Sequence, residues 1–267
     1  MRVLSEIARI KDEFSGTIGV AARHLATGET IGFNERTQFP TASTIKVPIV
    51  LEAFNQLEAG LHARTQRFTL VDHEKQGGSG VLGDFNAGLR PTFMDLVRMM
   101  IIVSDNTATN MLIDVLGLER VNALLERCGV SDTRLLRRIT FELEDGRIPD
   151  IGVGTPHDFA VLMEKLARRE VLSAASCDEI VAILRRQHYR DYLPRYLPST
   201  SWVASKPGML PGVRNDVGIV GTESGPAFVV AVMTRDSADH RWVVDNEGAA
   251  AIARISRLIH DYFELQG

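Results

Sequence analysis

Three short segments carry side chains of the right type and spacing for chemistry. The first is Ser43-Thr44-Ile45-Lys46. On a helix, residues three apart share a face, so this spacing brings an amine to a hydroxyl. A serine hydroxyl is a weak nucleophile unless a base takes its proton, and a lysine made neutral by burial or a nearby cation can take it. A helix start also offers free N–H groups and partial positive charge near Ser43. The second segment is Ser104-Asp105-Asn106, between two apolar stretches. Ser104 can relay a proton and Asn106 can offer an amide to a substrate, while Asp105 or Asn106 equally suits a helix cap. The third is Lys206-Pro207-Gly208, expected to close a strand over 201–205. A strand-end lysine facing a cleft binds a carboxylate or tunes its neighbours, and Gly208 allows close backbone approach. Each segment alone is weak. Their joint weight rises because the chain has only five lysines among 30 basic residues, and Lys46 and Lys206 are two of them. Arginine cannot release its proton at working pH, whereas lysine can.

These segments need a frame. Residues 2–14 space Val3, Leu4, Ile7, Ile10 and Phe14 as an amphipathic helix. Strands are expected at 17–24 and 29–34 around Ala26-Thr27-Gly28, and again at 201–205, 213–222 and 226–234. Between about 41 and 188 the chain reads as helical, with helices at 94–103, 107–116 and 119–128. Thr155-Pro156-His157-Asp158 starts another, capped by Thr155, and Ser173 caps one more that runs to about 187. Pro48 should distort the turn that follows Ser43. The chain ends in a helix over 247–265. The fold class is therefore α+β: a five-stranded antiparallel sheet flanked by the terminal helices, with an inserted all-helical lobe. Residues 1–42 and 190–267 form the α/β lobe, residues 43–189 the helical lobe, and the site lies between them.

Composition narrows the function. Apolar residues make up 45% of 267, enough for a sizeable core. A net charge of −4 argues against nucleic acid as a partner. No run is long and apolar enough for a membrane span. Residues 1–14 lack the apolar centre of a signal peptide, so the expectation is a cytoplasmic monomer, extracytoplasmic if a leader was trimmed. Cys128 and Cys177 have no metal spacing and read as buried thiols or a single disulfide. No metal or cofactor is expected, since no His/Cys/Asp cluster has ligand spacing.

The ordered set SxxK, SDN and K-x-G resembles the class A β-lactamases and penicillin-binding proteins over nearly the whole chain. The resemblance implies that Ser43 is acylated, Lys46 activates it, Ser104 passes the proton to the leaving nitrogen and Asn106 binds the substrate's side-chain amide. It implies that Lys206 supports Ser104 and a substrate carboxylate and helps keep Lys46 neutral. The oxyanion hole would be the N–H groups of Ser43 and Met209. Arg214 becomes either a carboxylate binder or a salt-bridge partner of Asp216. The substrate would be a β-lactam or a peptidoglycan-like peptide.

Two departures qualify the resemblance. Pro207 stands where the family carries Thr or Ser, which removes a hydroxyl and implies weaker penicillin binding. In the loop from Thr133 to Pro156, ungapped counting puts Ile139 where a β-lactamase has its water-activating glutamate. Glu142 and Glu144 lie three and five residues on and are either deacylation candidates or solvated loop charges. Arg137 matches a loop arginine whose aspartate partner would fall at Gly152, with Asp150 close by. A modestly active β-lactamase is expected first. A D-Ala-D-Ala peptidase or a slowly deacylating sensor is the alternative.

Overall fold

The computed structural model describes residues 2–264 except 145 and 147. Alternating apolar residues build the central sheet. Its strands are β1 (Thr17–His24), β2 (Thr30–Phe33), β6 (Trp202–Leu210), β7 (Val213–Thr222) and β8 (Gly225–Arg235), all antiparallel, in the order β2-β1-β8-β7-β6. One face of the sheet presents Ala204, Val217, Ile219, Val229 and Ala231. The other presents Val203, Val220, Val230 and Val232 to α1 (Arg2–Asp12) and α8 (Glu247–Glu264). The expected end of α8 at Leu265 lies outside the described residues.

The helical segment contains α2 (Lys46–Glu58), α3 (Phe93–Ile102), α4 (Asn106–Leu116), α5 (Leu118–Arg127), α6 (Pro156–Ala167) and α7 (Ala174–Leu184). From Lys46 to Phe54 every residue of α2 is buried, so it is an all-round core helix rather than an amphipathic one. Local chemistry sets the ends of the others. Thr92 and Asp95 form a reciprocal capping box on α3. Thr155 accepts from Asp158 N–H at 3.1 Å, with Pro156 opening α6, and Ser173 accepts from Ser176 N–H on α7. The core of this segment is continuous with one face of the sheet, because α6 packs directly on β1, β7 and β8. The expected boundaries at 43 and 189 therefore do not divide the apolar core.

Three sequence expectations need correction. The stretch between Gly60 and Thr92 contains no α-helix, only loop with short 3-10 turns at Asp72–Glu74 and Leu82–Asp84. A second sheet, β3 (Phe39–Pro40), β5 (Gly152–Gly154) and β4 (Arg134–Leu135), pairs antiparallel in the order β3-β5-β4 within the span expected to be helical. Finally, β6 does not stop at Ser205 but runs through Pro207 to Leu210. A proline fits there because β6 is an edge strand. The Arg214 backbone N–H and C=O both engage the Thr234 hydroxyl on β8, so its partner Met209 points its own N–H and C=O off the edge. Pro207, two residues earlier, shares that direction and forfeits no ladder bond.

Candidate active site

Ser43 lies in a 3-10 turn, Ala42–Ile45, that runs into α2. This is the distortion expected from Pro48, which occupies the first α-helical turn, where its missing N–H breaks no helical bond. The turn is fixed to the sheet edge. Asn215 Nδ2 donates to the carbonyls of Pro40 (2.8 Å) and Thr41 (3.1 Å). A Cβ on Gly208 would lie 2.8 Å from Ser43 N and 2.9 Å from Thr41 O. Glycine at 208 therefore permits this contact. Met209 N–H makes no ladder bond to β7, which leaves it available as the second donor that an oxyanion hole needs.

Lys46 is fully buried. Its Nζ donates to Ser104 O (2.7 Å), Ser104 Oγ (3.0 Å) and Asn106 Oδ1 (2.9 Å), rather than to Ser43. Burial first, and the charge of Lys206 second, hold the Lys46 amine well below the usual lysine range, against an opposing pull from Asp105. A neutral amine has two hydrogens and one lone pair. Of its three partners only the Ser104 hydroxyl can reverse and donate. Neutral Lys46 therefore serves Ser104 O and Asn106 Oδ1 and takes a hydrogen from Ser104 Oγ. Ser104 is held for this at φ +55° and Ala42, beside Ser43, at φ +46°. Both sit in the left-handed region that non-glycine residues avoid at a cost of about 1 kcal/mol or more each.

The Ser104-Asp105-Asn106 segment divides its labour. Asp105 caps α4 through Ala108 N–H (2.8 Å), and its other oxygen accepts from Val81 and Leu82 N–H (both 2.7 Å). It thus ties the glycine-rich loop 77–80 over the site, and at Gly80 any Cβ would collide with it. Asn106 Nδ2 donates to Gly77 O at 2.9 Å, so its amide binds the protein on both sides while still lining the cleft.

Lys206 is also fully buried, and burial brings its amine down to about 7. Its Nζ donates to Pro207 O at 2.7 Å and makes no hydrogen bond to Ser104 among the described residues; after burial, its charge is the second cause of the lowered Lys46 amine. Arg214 makes no ion pair with Asp216 among the described residues. Its guanidinium donates to the carbonyls of Leu210, Val213 and Arg241 and stacks under Trp242, 4.9 Å from the ring centre.

The cleft has a volume of about 530 Å³ and is lined by Ser43, Asn106 and Met209 together with loop residues Ile139, Thr140, Phe141, Ile148, Pro149 and Ile151. Ile139 is clasped by Asn110, whose Nδ2 donates to Ile139 O and whose Oδ1 accepts from Ile139 N–H. Neither expected glutamate reaches the cleft. Glu142 is exposed and Glu144 pairs with Arg137. Among the described residues no carboxylate lines the cleft. Asn110, Asn215, Tyr189 and Trp242 went unnoticed in the sequence. Only Asn110 carried a signal, as a polar residue on the apolar face of α4. Cys128 and Cys177 are buried and free. Among the described residues no helix is long and apolar enough to cross a membrane, and no cluster of three His, Cys, Asp or Glu could hold a metal.

The chain belongs to the beta-lactamase enzyme family, whose model matches residues 2–263. A beta-lactamase from Sphaerobacter thermophilus is similar, with 34% identity and a TM-score of 0.90 over 98% of this chain and 97% of that one. PBP-A, as a leucine-to-glutamate mutant in an acyl-enzyme complex with penicillin G, is 27% identical with a TM-score of 0.88 over 99% and 97%. The beta-lactamase regulatory protein BlaB of Streptomyces cacaoi is 26% identical over 97% of this chain and 96% of its own length.

Proposed function

We propose that this member of the beta-lactamase enzyme family opens β-lactams through a Ser43 acyl-enzyme and releases the product slowly. The observation that carries the proposal is the contrast within one cleft. Lys46, Ser104 and Asn106 are joined by hydrogen bonds and Asn106 shares the cleft lining with Ser43, whereas Ile139 lines the wall and no described carboxylate does. In the acylation step Ser43 Oγ bonds to the lactam carbonyl carbon and its proton passes to Lys46, three residues along. The oxyanion rests on the N–H groups of Ser43 and Met209. The proton then moves from Lys46 through Ser104 Oγ to the lactam nitrogen as the carbon–nitrogen bond breaks. Hydrolysis of the ester needs a base for water. With no carboxylate among the described lining residues, that task falls to Lys46, which serves both half-reactions.

Incubation with a chromogenic cephalosporin, followed by colour and intact mass together, tests this. The expected result is a fast burst, a covalent adduct and slow continuing turnover. Fast turnover with no accumulating adduct would refute slow release, and an adduct that survives Ser43→Ala would refute the nucleophile. The alternative of a penicillin-binding sensor or D-Ala-D-Ala peptidase draws on the same Ile139 wall and on the likeness to BlaB. A stable adduct with no turnover would favour it.

A further inference from the structure

An acyl-transfer site declares its substrate by what lines it, and here the described lining is mostly apolar and carries no charge. Ile139, Phe141, Ile148, Leu210, Pro211 and Trp242 form its walls. The polar groups facing it include Ser43, Ser79, Thr140 and Asn106, with no charged side chain among the described residues. A pocket of about 530 Å³ is of ordinary ligand size. Trp242 and Phe141 remain 62% and 40% exposed, so their ring faces are open to an incoming group.

A substrate carboxylate would need a cation or several convergent donors. Among the described residues, the cations Lys46, Lys206 and Arg214 are each already engaged. Lys46 is buried with its amine on three oxygens. Lys206 is buried with its amine on Pro207 O, and burial weakens its charge near neutrality. Arg214 is locked under Trp242 on three carbonyls. Pro207 adds no hydroxyl on the strand beside Ser43.

Building on the Ser43 acyl-enzyme reading, we infer that the preferred acyl donors are neutral esters or amides with a bulky apolar acyl group and no carboxylate requirement. With an aryl ester, Ser43 Oγ bonds to the acyl carbon as the carbon–oxygen bond to the phenolate breaks. The serine proton goes to Lys46 and the phenolate leaves as its anion. Lys46 then gives its proton to solvent; water adds to the acyl carbon as one of its protons passes to Lys46, Lys46 delivers that proton to Ser43 Oγ as the serine–acyl bond breaks, and the carboxylic acid departs.

The test uses the full chain with p-nitrophenyl acetate, butyrate and octanoate, and with benzylpenicillin beside its methyl ester. Release of p-nitrophenolate gives kcat/KM, and intact mass gives the rate of adduct formation. From acetate to octanoate kcat/KM should rise at least about tenfold, since each buried methylene adds to binding. Phe141→Ala should cut the octanoate-to-acetate ratio about fivefold or more. Masking the penicillin carboxylate should change adduct formation by less than about threefold, whereas a recognised carboxylate would make the free acid about 30-fold faster or more. A flat ester series, or that 30-fold preference, overturns the inference and leaves Ser43 acylation standing. No adduct from any probe, or an adduct that survives Ser43→Ala, overturns the acyl-enzyme reading and the inference with it.

Discussion

Asn110 on α4 holds Ile139 by both backbone groups, donating from Nδ2 to its carbonyl at 2.9 Å and accepting its N–H on Oδ1 at 2.8 Å. The clasp spans 29 residues and fixes an aliphatic side chain in the wall of the cleft. Because the backbone is held and not the side chain, a different side chain at 139 would inherit the same position. Ile139→Glu should therefore set a carboxylate in the cleft and speed deacylation by about tenfold or more, the scale of general-base catalysis. Acylation should change much less. Pre-steady-state bursts with a chromogenic cephalosporin separate the two rates. Equal change in both would contradict the role assigned to this wall.

The two loop glutamates give the matching control. Glu142 is exposed and Glu144 is spent on Arg137. Glu142→Gln and Glu144→Gln should each leave turnover within about twofold, as surface substitutions away from a site usually do. A loss of tenfold or more in either would show that the loop brings that carboxylate to the acyl-enzyme.

Lys206 offers a test by pH. Its charge is the second cause, after burial, of the lowered Lys46 amine. Lys206→Met removes that charge, so Lys46 holds its proton to higher pH and acylation falls at and below neutrality, by about tenfold. Lys206 itself titrates at about 7. Well above that pH it is neutral in the wild type too, and the two rate profiles should converge. A uniform loss at every pH would mean that Lys206 acts by packing alone.

Much of this was legible in the sequence, for physical reasons. Alternation and caps located the five strands and most helices, because Thr155 and Ser173 act through hydrogen bonds three residues away. Of the three motif segments, Ser43 to Lys46 was legible as one turn because spacing of three within a helical turn is itself geometry. What stayed hidden was non-local. Strands of two or three residues, such as Phe39–Pro40, have no period to read. The Gly60 to Thr92 stretch is held by bonds such as those from Val81 and Leu82 to Asp105, far along the chain. The extension of β6 through Pro207 depends on its being an edge strand, and strand order is a property of the assembled sheet. Arg214 bonds to three carbonyls and no carboxylate, a choice that no motif records.

Pro207 is open to direct repair. Its nitrogen points off the sheet edge, so Pro207→Thr breaks no ladder bond and adds a hydroxyl beside Gly208, which touches the Ser43 turn. Acylation by benzylpenicillin should rise about tenfold or more, the value of one hydrogen bond to a charged group. Acylation by its methyl ester should not rise. An equal gain for both would place the effect in the strand and not in carboxylate binding.

Asp216 makes a prediction about stability. It is buried on the sheet face opposite Lys206. Oδ2 accepts from Leu193 N–H and Ser205 Oγ–H, while Oδ1 has no partner. Burial pushes the carboxyl up to about 7, against those hydrogen bonds and the Lys206 charge. In the unfolded chain it titrates near 4. Between those values the folded state binds the extra proton, so stability falls as pH rises from about 4 to about 7 and is level beyond. Asp216→Asn keeps an acceptor for Leu193 N–H and removes the buried charge. Its gain in Tm should be small at pH 4.5 and grow to about 3 °C or more at pH 8, the shift expected for roughly 1 kcal/mol in a domain of this size. Thermal unfolding at the two pH values decides the matter. A gain equal at both, or a loss confined to pH 8, would mean that the ionised carboxylate is stabilised in the fold by its charge pairing across the sheet.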